Sequence, residues 1–378
     1  MDFELSDAQQ DLQRAASELL DDLCTPGRVR QVGDEDAHLD DTLWAAMVEQ
    51  GWLGVEQPES DGGLGLGLVE TVVLCEQLGR RVAPVPFLGT VLAASTLRAG
   101  LDAGAIDRDR TLGRSDVAGW VERLSSGEAV GAVAFSEKPT AVTARRVGAG
   151  EWHLSGRSDL VVFGPAADVI VVFAEADGNP ALFALAPATD RRPAAEPAMD
   201  RTRSVGWLRL DEQPAPRLGG SELAAELLDR AATALSAEML GAAETVLEMT
   251  VAYAKDRVQF GRPIGGFQAV KHRCADMLVD VEGMRSATFY AAWAVGAGDP
   301  EADAAASVAK IWSSDAARRV MASGLQVHGG IGFTWEHDLH LYLKRSQLDQ
   351  VTFGDARLHR ERLAPILRRR AESGLPVL

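Results

Sequence analysis

Apolar residues recur at helical spacing from the start of the chain. Leu5, Leu12, Ala16, Leu19, Leu20 and Leu23 fall on one helix face, and Ser6 precedes them as a candidate N-cap. Two more helices are predicted at about 42–50 and 68–78, joined by the connector Asp61-Gly62-Gly63-Leu64-Gly65-Leu66-Gly67. That connector lacks a strand before it and so reads as a loop, not a dinucleotide fingerprint. From about Ala129 to Leu218 the period shortens. AVGAVAFSE, EWHLSG, VIVVFAEA and ALFALAP are β-branched or alternating runs separated by Gly, Pro and Asp, which predicts a compact β-sandwich or barrel. Helical periodicity returns at Ser221, with Glu222 and Glu226 in the first turns where the macrodipole favours acid. It predicts helices at about 221–257, 267–296, 300–327, 337–345 and 355–370, with Gly298-Asp299-Pro300 as a turn. Long antiparallel helices joined by short turns build a bundle. Three domains are expected: 1–127 helical, 128–219 β, and 220–378 a C-terminal helical bundle.

Composition narrows the function classes. The formal net charge of −17 argues against nucleic acid or an anionic membrane as partner, since both require clustered cationic surface. No apolar run approaches the roughly 20 residues of a membrane span. The acidic start, MDFELSDAQQDL, is unlike a signal peptide, and a cytoplasmic location is expected. Cys24, Cys75 and Cys274 are far apart and form no CxxC, so neither a disulfide framework nor a metal site is expected from them. His328, His337 and His340 are not accompanied by a carboxylate or Cys that would complete a metal site, and a polar surface or interface role is expected for them. Trp293, Trp312 and Trp335 sit among apolar helical neighbours and read as core or interface.

Three stretches in the last third are more specific. The first is Arg257-Val258-Gln259-Phe260-Gly261-Arg262-Pro263-Ile264, followed by Phe267-Gln268-Ala269-Val270-Lys271-His272. The second is Gln326-Val327-His328-Gly329-Gly330-Ile331-Gly332-Phe333, and the third runs from His337 to Arg345. With the helical, β, helical-bundle order, they make the chain resemble the acyl-CoA dehydrogenase family across nearly its whole length. The resemblance implies an α+β multi-domain fold: an N-terminal helical domain, a central β-sandwich or barrel, and a C-terminal four-helix bundle. It implies FAD as cofactor and an acyl-CoA thioester as substrate, with an electron-transfer acceptor to reoxidise the flavin. It also implies an oligomer, because in the family these stretches reach across the subunit interface to a neighbour's FAD. Arg257, Phe260, Gln268, Gln326, Val327, His328, Gly329 and Gly330 are the cofactor-binding candidates. Arg257 offers a planar fork to a pyrophosphate, Gln268 a polar edge, and the glycines a backbone without side chains. Taken singly, Arg257 is also a plain helix C-terminal residue, and Gly329-Gly330 a plain C-cap.

The catalytic side departs from the family pattern. The family's base is a carboxylate made competent by desolvation. One of its two usual places, the loop before the last helix, reads Val351-Thr352-Phe353-Gly354-Asp355 here, with Gly354 at the carboxylate's position and Asp355 beside it. The other, in the first bundle helix, falls on Ala231, with Asp229 nearby. Asp355 is the remaining catalytic candidate, and it also suits an N-cap for the following helix. Glu238 lies two turns from the alternative position. The family's flavin-side stretches correspond to Phe135-Ser136-Glu137-Lys138-Pro139-Thr140-Ala141 and Leu160-Val161-Val162-Phe163-Gly164-Pro165, where the Gly-Ser-Asp and the tryptophan are missing. Three readings follow. The chain is an FAD-dependent acyl-CoA dehydrogenase acting as a homotetramer, or a partner subunit completing a sister chain's FAD site in an α2β2 heterotetramer, or a cofactor-free scaffold. The second resembles the smaller subunits of actinobacterial enzymes acting on steroid side-chain CoA thioesters.

Overall fold

A computed structural model describes residues 5–35, 38–106, 110–113, 115–148 and 151–374. The chain divides into two compact units. The first takes residues up to Val29, Leu68–Ala83 and Ala232 onward, and the second takes Arg30–Gly67 and Pro84–Ala231.

The second unit holds helices α3 (Asp41–Glu49), α5 (Phe87–Asp102) and α6 (Val117–Ser125) around a mixed seven-stranded sheet. Strand β6 (Val169–Ala176) pairs antiparallel with β7 (Asn179–Leu185) on one side. Its other side is shared by β3 (Gly131–Ala134) and β4 (Val142–Gly148), both parallel to it. A strand enclosed in this way is expected to read as a continuous apolar run, which is what VIVVFA shows. Strand β5 (Glu151–Val162) alternates instead, sending Trp152, Leu154 and Val161 into a core with Ile170, Val172, Phe183 and Leu208. It pairs with β4 and with β8 (Val205–Pro214). Helix α5 is buried on most of its faces and so lacks the one-sided stripe that would reveal it in the sequence.

The first unit is helical: α1 (Asp7–Leu23), α4 (Leu68–Arg80), most of α7 (Ser221–Asp256), α8 (Gln268–Gly296), α9 (Ala302–His328), α10 (Leu339–Val351) and α11 (Ala356–Glu372). Ser6 does cap α1, in a reciprocal capping box with Gln9. Helices α4 and α7 cross at backbone contact. A Cβ on Gly79 would lie 2.0 Å from the Glu238 carbonyl oxygen, and one on Gly241 would lie 1.9 Å from that of Glu76. No described helix is long and apolar enough to cross a membrane.

A charged pair lies in the middle of this packing. Arg345 of α10 is completely buried and donates to the Glu238 carboxylate at 2.8 Å. Its remaining donors reach the carbonyl oxygens of Val82 and Ala83 at 3.3 Å, in the turn that follows α4. The pair therefore ties α4, α7 and α10 together. Glu238→Leu leaves the guanidinium buried without its counter-charge, and a loss of about 3–5 kcal/mol is expected in urea unfolding. A loss below 1 kcal/mol would show that the pair does not organise the bundle.

The turn between α10 and α11 is held by two buried bases. Lys310 of α9 donates to the carbonyl oxygens of Asp349 at 2.7 Å and Gln350 at 3.1 Å. Burial pulls its pKa down to about 7 from the ordinary 10.5, against the pull of the Asp349 and Asp355 carboxylates. His359 bonds the Phe353 carbonyl oxygen at 3.0 Å, and burial drops its pKa to about 3. In both cases the unfolded chain binds the proton more readily, so stability rises with pH across each window. For Lys310 the window runs from about 7 to 10.5. The thermal midpoint should climb between pH 7 and 9, and Lys310→Met should remove that climb. Equal slopes for the two proteins would mean that the buried lysine stays charged.

Candidate functional site

The cofactor-side motifs occupy one end of the helical unit. Helix α7 stops at Asp256, and the chain forms a small hairpin, β10 (Val258–Gln259) against β11 (Arg262–Pro263). Its tip residues Phe260 and Gly261 both have positive φ, +53° and +76°. A two-residue turn of type I′ demands this, and it is costly for Phe. The Ile264 N–H donates to the Arg257 carbonyl oxygen at 2.8 Å and closes the hairpin base. Gly265 lies so close to α7 that a Cβ would sit 2.9 Å from the Ala254 carbonyl oxygen. Helix α8 then begins at Gln268 without a side-chain cap. The Val270 and Lys271 N–H groups donate to the Phe267 carbonyl oxygen, and the first turn forms the positive end of the helix dipole.

The end of α9 joins the same cluster. Tyr253 of α7 stacks on His328 with ring centroids 4.6 Å apart, and His337 meets His328 edge-on at 4.6 Å. Helix α9 ends on Gly329 at φ +63°, a conformation only glycine adopts without strain. A Cβ built on Gly329 or Gly330 would meet nothing within 4 Å, so these glycines do not serve internal packing. The Gly329 N–H closes the helix on the Leu325 carbonyl oxygen, and no side chain at either glycine shields the main chain from outside.

The eight cofactor candidates divide by exposure. Arg257, Phe260, Gln268, Gln326 and Gly330 are exposed, Gly329 is half-buried, and the Val327 and His328 side chains are buried. His328, expected at a polar surface or an interface, is buried within the chain. Its Nδ1 lies 2.8 Å from the Gly324 carbonyl oxygen, so Nδ1 carries the hydrogen and Nε2 is left as a buried acceptor without a protein partner. Burial, with His337 beside it, lowers its pKa and keeps the ring neutral. No group of three or more His, Cys, Asp or Glu suited to a metal occurs among the described residues. The three tryptophans are not core residues: Trp293, Trp312 and Trp335 all reach solvent.

The carboxylate candidates have structural roles. Asp355 is the N-cap of α11, accepting the Leu358 N–H at 2.8 Å. Gly354 has φ +90°, a conformation that favours glycine, and a Cβ there would displace the Leu358 Cδ2 methyl, 2.8 Å away. Glu238 is held by Arg345 inside the bundle, and Ala231 is fully buried.

The sheet unit contains an arrangement that sequence reasoning missed. A bulge in β5 between Arg157 and Leu160 takes Ser158 and Asp159 out of register with β8. The Asp159 N–H then donates to the Ser136 hydroxyl at 3.1 Å, and the Glu137 N–H donates to the Asp159 carboxylate at 2.9 Å. The Ser136 hydroxyl oxygen and the Glu137 N–H are thereby bonded within the chain. Burial raises the Asp159 pKa while Arg157 pulls it down. The one available signal was an acid inside an otherwise apolar strand end.

Comparison with known proteins gives a consistent family assignment. Family models match the acyl-CoA dehydrogenase N-terminal domain over residues 6–103 and the C-terminal domain over 219–367. The chain is similar to acyl-CoA dehydrogenase FadE27 of Mycobacterium tuberculosis, 33% identical over 94% of this chain and 96% of that protein. Among solved structures it is similar to the ChsE4-ChsE5 complex from Mycobacterium tuberculosis, 34% identical with a TM-score of 0.85 over 97% of this chain and 99% of that one. It is also similar to a Tcur3481-Tcur3483 steroid ACAD variant, 32% identical with a TM-score of 0.86 over 97% and 99%. The open Gly329–Gly330 backbone, the exposed Arg257 and Gln268, and the uncapped start of α8 fit the phosphate and polar edges of the family's cofactor, FAD. By its motifs, its fold and both family models, this chain belongs to the acyl-CoA dehydrogenase family of FAD-dependent oxidoreductases acting on CH–CH bonds.

Proposed function

We propose that this chain is the partner subunit of a heterotetrameric acyl-CoA dehydrogenase, completing the FAD site of a sister chain that carries the catalytic base. The observation that carries this reading is the commitment of its own carboxylates. Asp355 caps α11 and Glu238 neutralises a buried arginine, while the cofactor-side end remains exposed. The Asp159 arrangement supports the same reading, because it engages the Glu137 N–H and the Ser136 hydroxyl oxygen internally.

In this role Arg257 presents its guanidinium to the pyrophosphate as a charge-assisted, two-pronged donor. Gln268, at the start of α8, adds a side-chain hydrogen bond and the positive end of the helix dipole. Gln326 supplies a polar edge, and Gly329 and Gly330 allow main-chain N–H groups to approach without side chains between. Neutral His328, stacked on Tyr253, fixes the position of that glycine pair. The flavin, when bound, supplies the acceptor for the hydride removed from the acyl-CoA. The substrate class is an acyl-CoA thioester. A steroid side-chain thioester is the favoured member, because one solved relative is described as a steroid enzyme. A separate electron-transfer protein reoxidises the flavin, and the complex acts in the cytoplasm.

The deciding experiment is the flavin-to-protein ratio and native mass of the chain alone and with its sister. A colourless chain that gains about half a flavin per polypeptide only in the mixed tetramer is expected. One flavin per chain in a homotetramer would replace this reading with a self-sufficient dehydrogenase.

Two substitutions sharpen the assignment. Arg257→Gln should lower the flavin content of the assembled complex, read by absorbance after desalting, and unchanged content would remove Arg257 from the cofactor site. Asp355→Asn should keep both turnover and stability, because Asn caps as well as Asp, whereas Asp355→Ala should lose about 0.5–2 kcal/mol of stability with turnover retained. Lost turnover in the stable Asn variant would make Asp355 the base.

A further inference from the structure

The turn that follows α4 holds a residue in a conformation its side chain disfavours. Val82 has φ +46°, in the left-handed region, where a β-branched residue is a true outlier. Two backbone bonds close the turn. The Ala83 N–H donates to the Leu78 carbonyl oxygen at 3.0 Å, and the Val82 N–H to that of Gly79 at 3.2 Å. This is the bonding pattern of a Schellman cap, whose left-handed position is usually glycine. Valine there is strained where glycine would not be, so the closed turn persists only while its surroundings hold it.

The holding groups come from three other elements. The Arg80 carbonyl oxygen accepts the Tyr342 hydroxyl at 2.9 Å and the Thr245 hydroxyl at 3.0 Å. The Arg81 carbonyl oxygen accepts the Cys24 thiol at 3.6 Å. Arg345 reaches the Val82 and Ala83 carbonyl oxygens, each at 3.3 Å. Side chains thus grip every carbonyl from Arg80 to Ala83. Burial pushes the Tyr342 pKa up to about 12, so the phenol keeps the proton it donates. Tyr342 and Arg345 both stand on α10, and Leu339 at the start of that helix packs under the glycine loop. A Cβ on Gly332 would lie 3.3 Å from Leu339 Cδ2, and one on Gly324 would lie 3.7 Å from Cδ1. Leu339, Tyr342 and Arg345 follow one another at intervals of three, so successive turns of α10 touch the glycine loop and the strained turn.

We propose that the 81–83 turn is a strained latch: Tyr342 and Arg345 hold Val82 in its left-handed form, and opening of the turn releases α10 together with the glycine loop that α10 supports. The proposal goes beyond the partner-subunit reading and does not depend on which chain holds the flavin. The element has two discrete states, because a β-branched residue relaxes out of the left-handed well into a separate extended or right-handed one. Turn and glycine loop then share one local opening equilibrium, which native-state hydrogen exchange reads directly.

The test is hydrogen exchange followed by mass spectrometry on the full-length protein, with any partner it carries, as a double-mutant cycle. Arg345→Lys keeps a positive charge opposite Glu238 but lacks the fork that reaches two carbonyls. It should speed exchange across residues 80–84 and across 329–338 by about 10-fold, the effect of releasing a strained residue. In a Val82→Gly background the same change should speed both segments by less than about 3-fold, because glycine needs no holding in this conformation. Comparison within each background cancels the loss of the buried valine side chain. Equal acceleration in the two backgrounds would mean that Val82 stores no strain, and the latch falls. Acceleration at 80–84 with 329–338 unchanged would break the link through α10 and overturn the proposal. Acceleration spread evenly over α7, α8 and α9 would report global unfolding and overturn it as well. If Arg345→Lys does not fold, Tyr342→Phe, which removes a single hydroxyl, runs through the same cycle with the same readings.

Discussion

The bundle depends on one buried ion pair. Arg345 and Glu238 join α10 to α7, and the remaining arginine donors hold the turn after α4. Taking two charges out of water is expensive, and a pair of this kind persists only where the other donors are also satisfied. The carbonyls of Val82 and Ala83 meet that condition, with Val82 itself at a positive φ of +46°. The glycine contacts between α4 and α7 bring the backbones close enough for the arrangement to close. What results is a fixed platform from which the ends of α7, α8 and α9 project.

The same platform engages the carboxylates nearest the family's two usual base positions. A general base needs a lone pair within reach of its substrate and a pKa near the working pH. Glu238 spends its charge on Arg345, and Asp355 spends its oxygen on the Leu358 N–H. Lys310 and His359 hold the turn before Asp355 by its carbonyls, so the cap has little freedom to turn outward. The family's fold is present here, with Asp355 and Glu238 both engaged in structural contacts.

The two ends of the cofactor question therefore separate in space and in chemistry. In the helical unit, donors face outward: Arg257, Gln268, the first turn of α8 and the glycine backbone. In the sheet unit, the loop at Ser136 and Glu137 bonds to Asp159.

The sequence by itself determined the order of helical, β and helical segments, because periods of 3.6 and 2 are local properties of the chain. It also determined the cofactor-side motifs and the loss of the family's carboxylate, since each is a short contiguous stretch. Helix α5 escaped because it is apolar on most sides and has no period to read. Only the tertiary structure decided which polar side chains are free. Glu238 and Arg345 stand 107 residues apart, and nothing local shows that they meet. Asp159 reaches Glu137 through a bulge set by the register of β5 against β8, a long-range property. His328 reads as a surface or interface histidine until Tyr253 is seen stacked on it, and Trp335 reads as core or interface until its exposure rules out the core. Burial and pairing are decided by which distant segments pack together, and the periodicity of one segment carries no record of its neighbour.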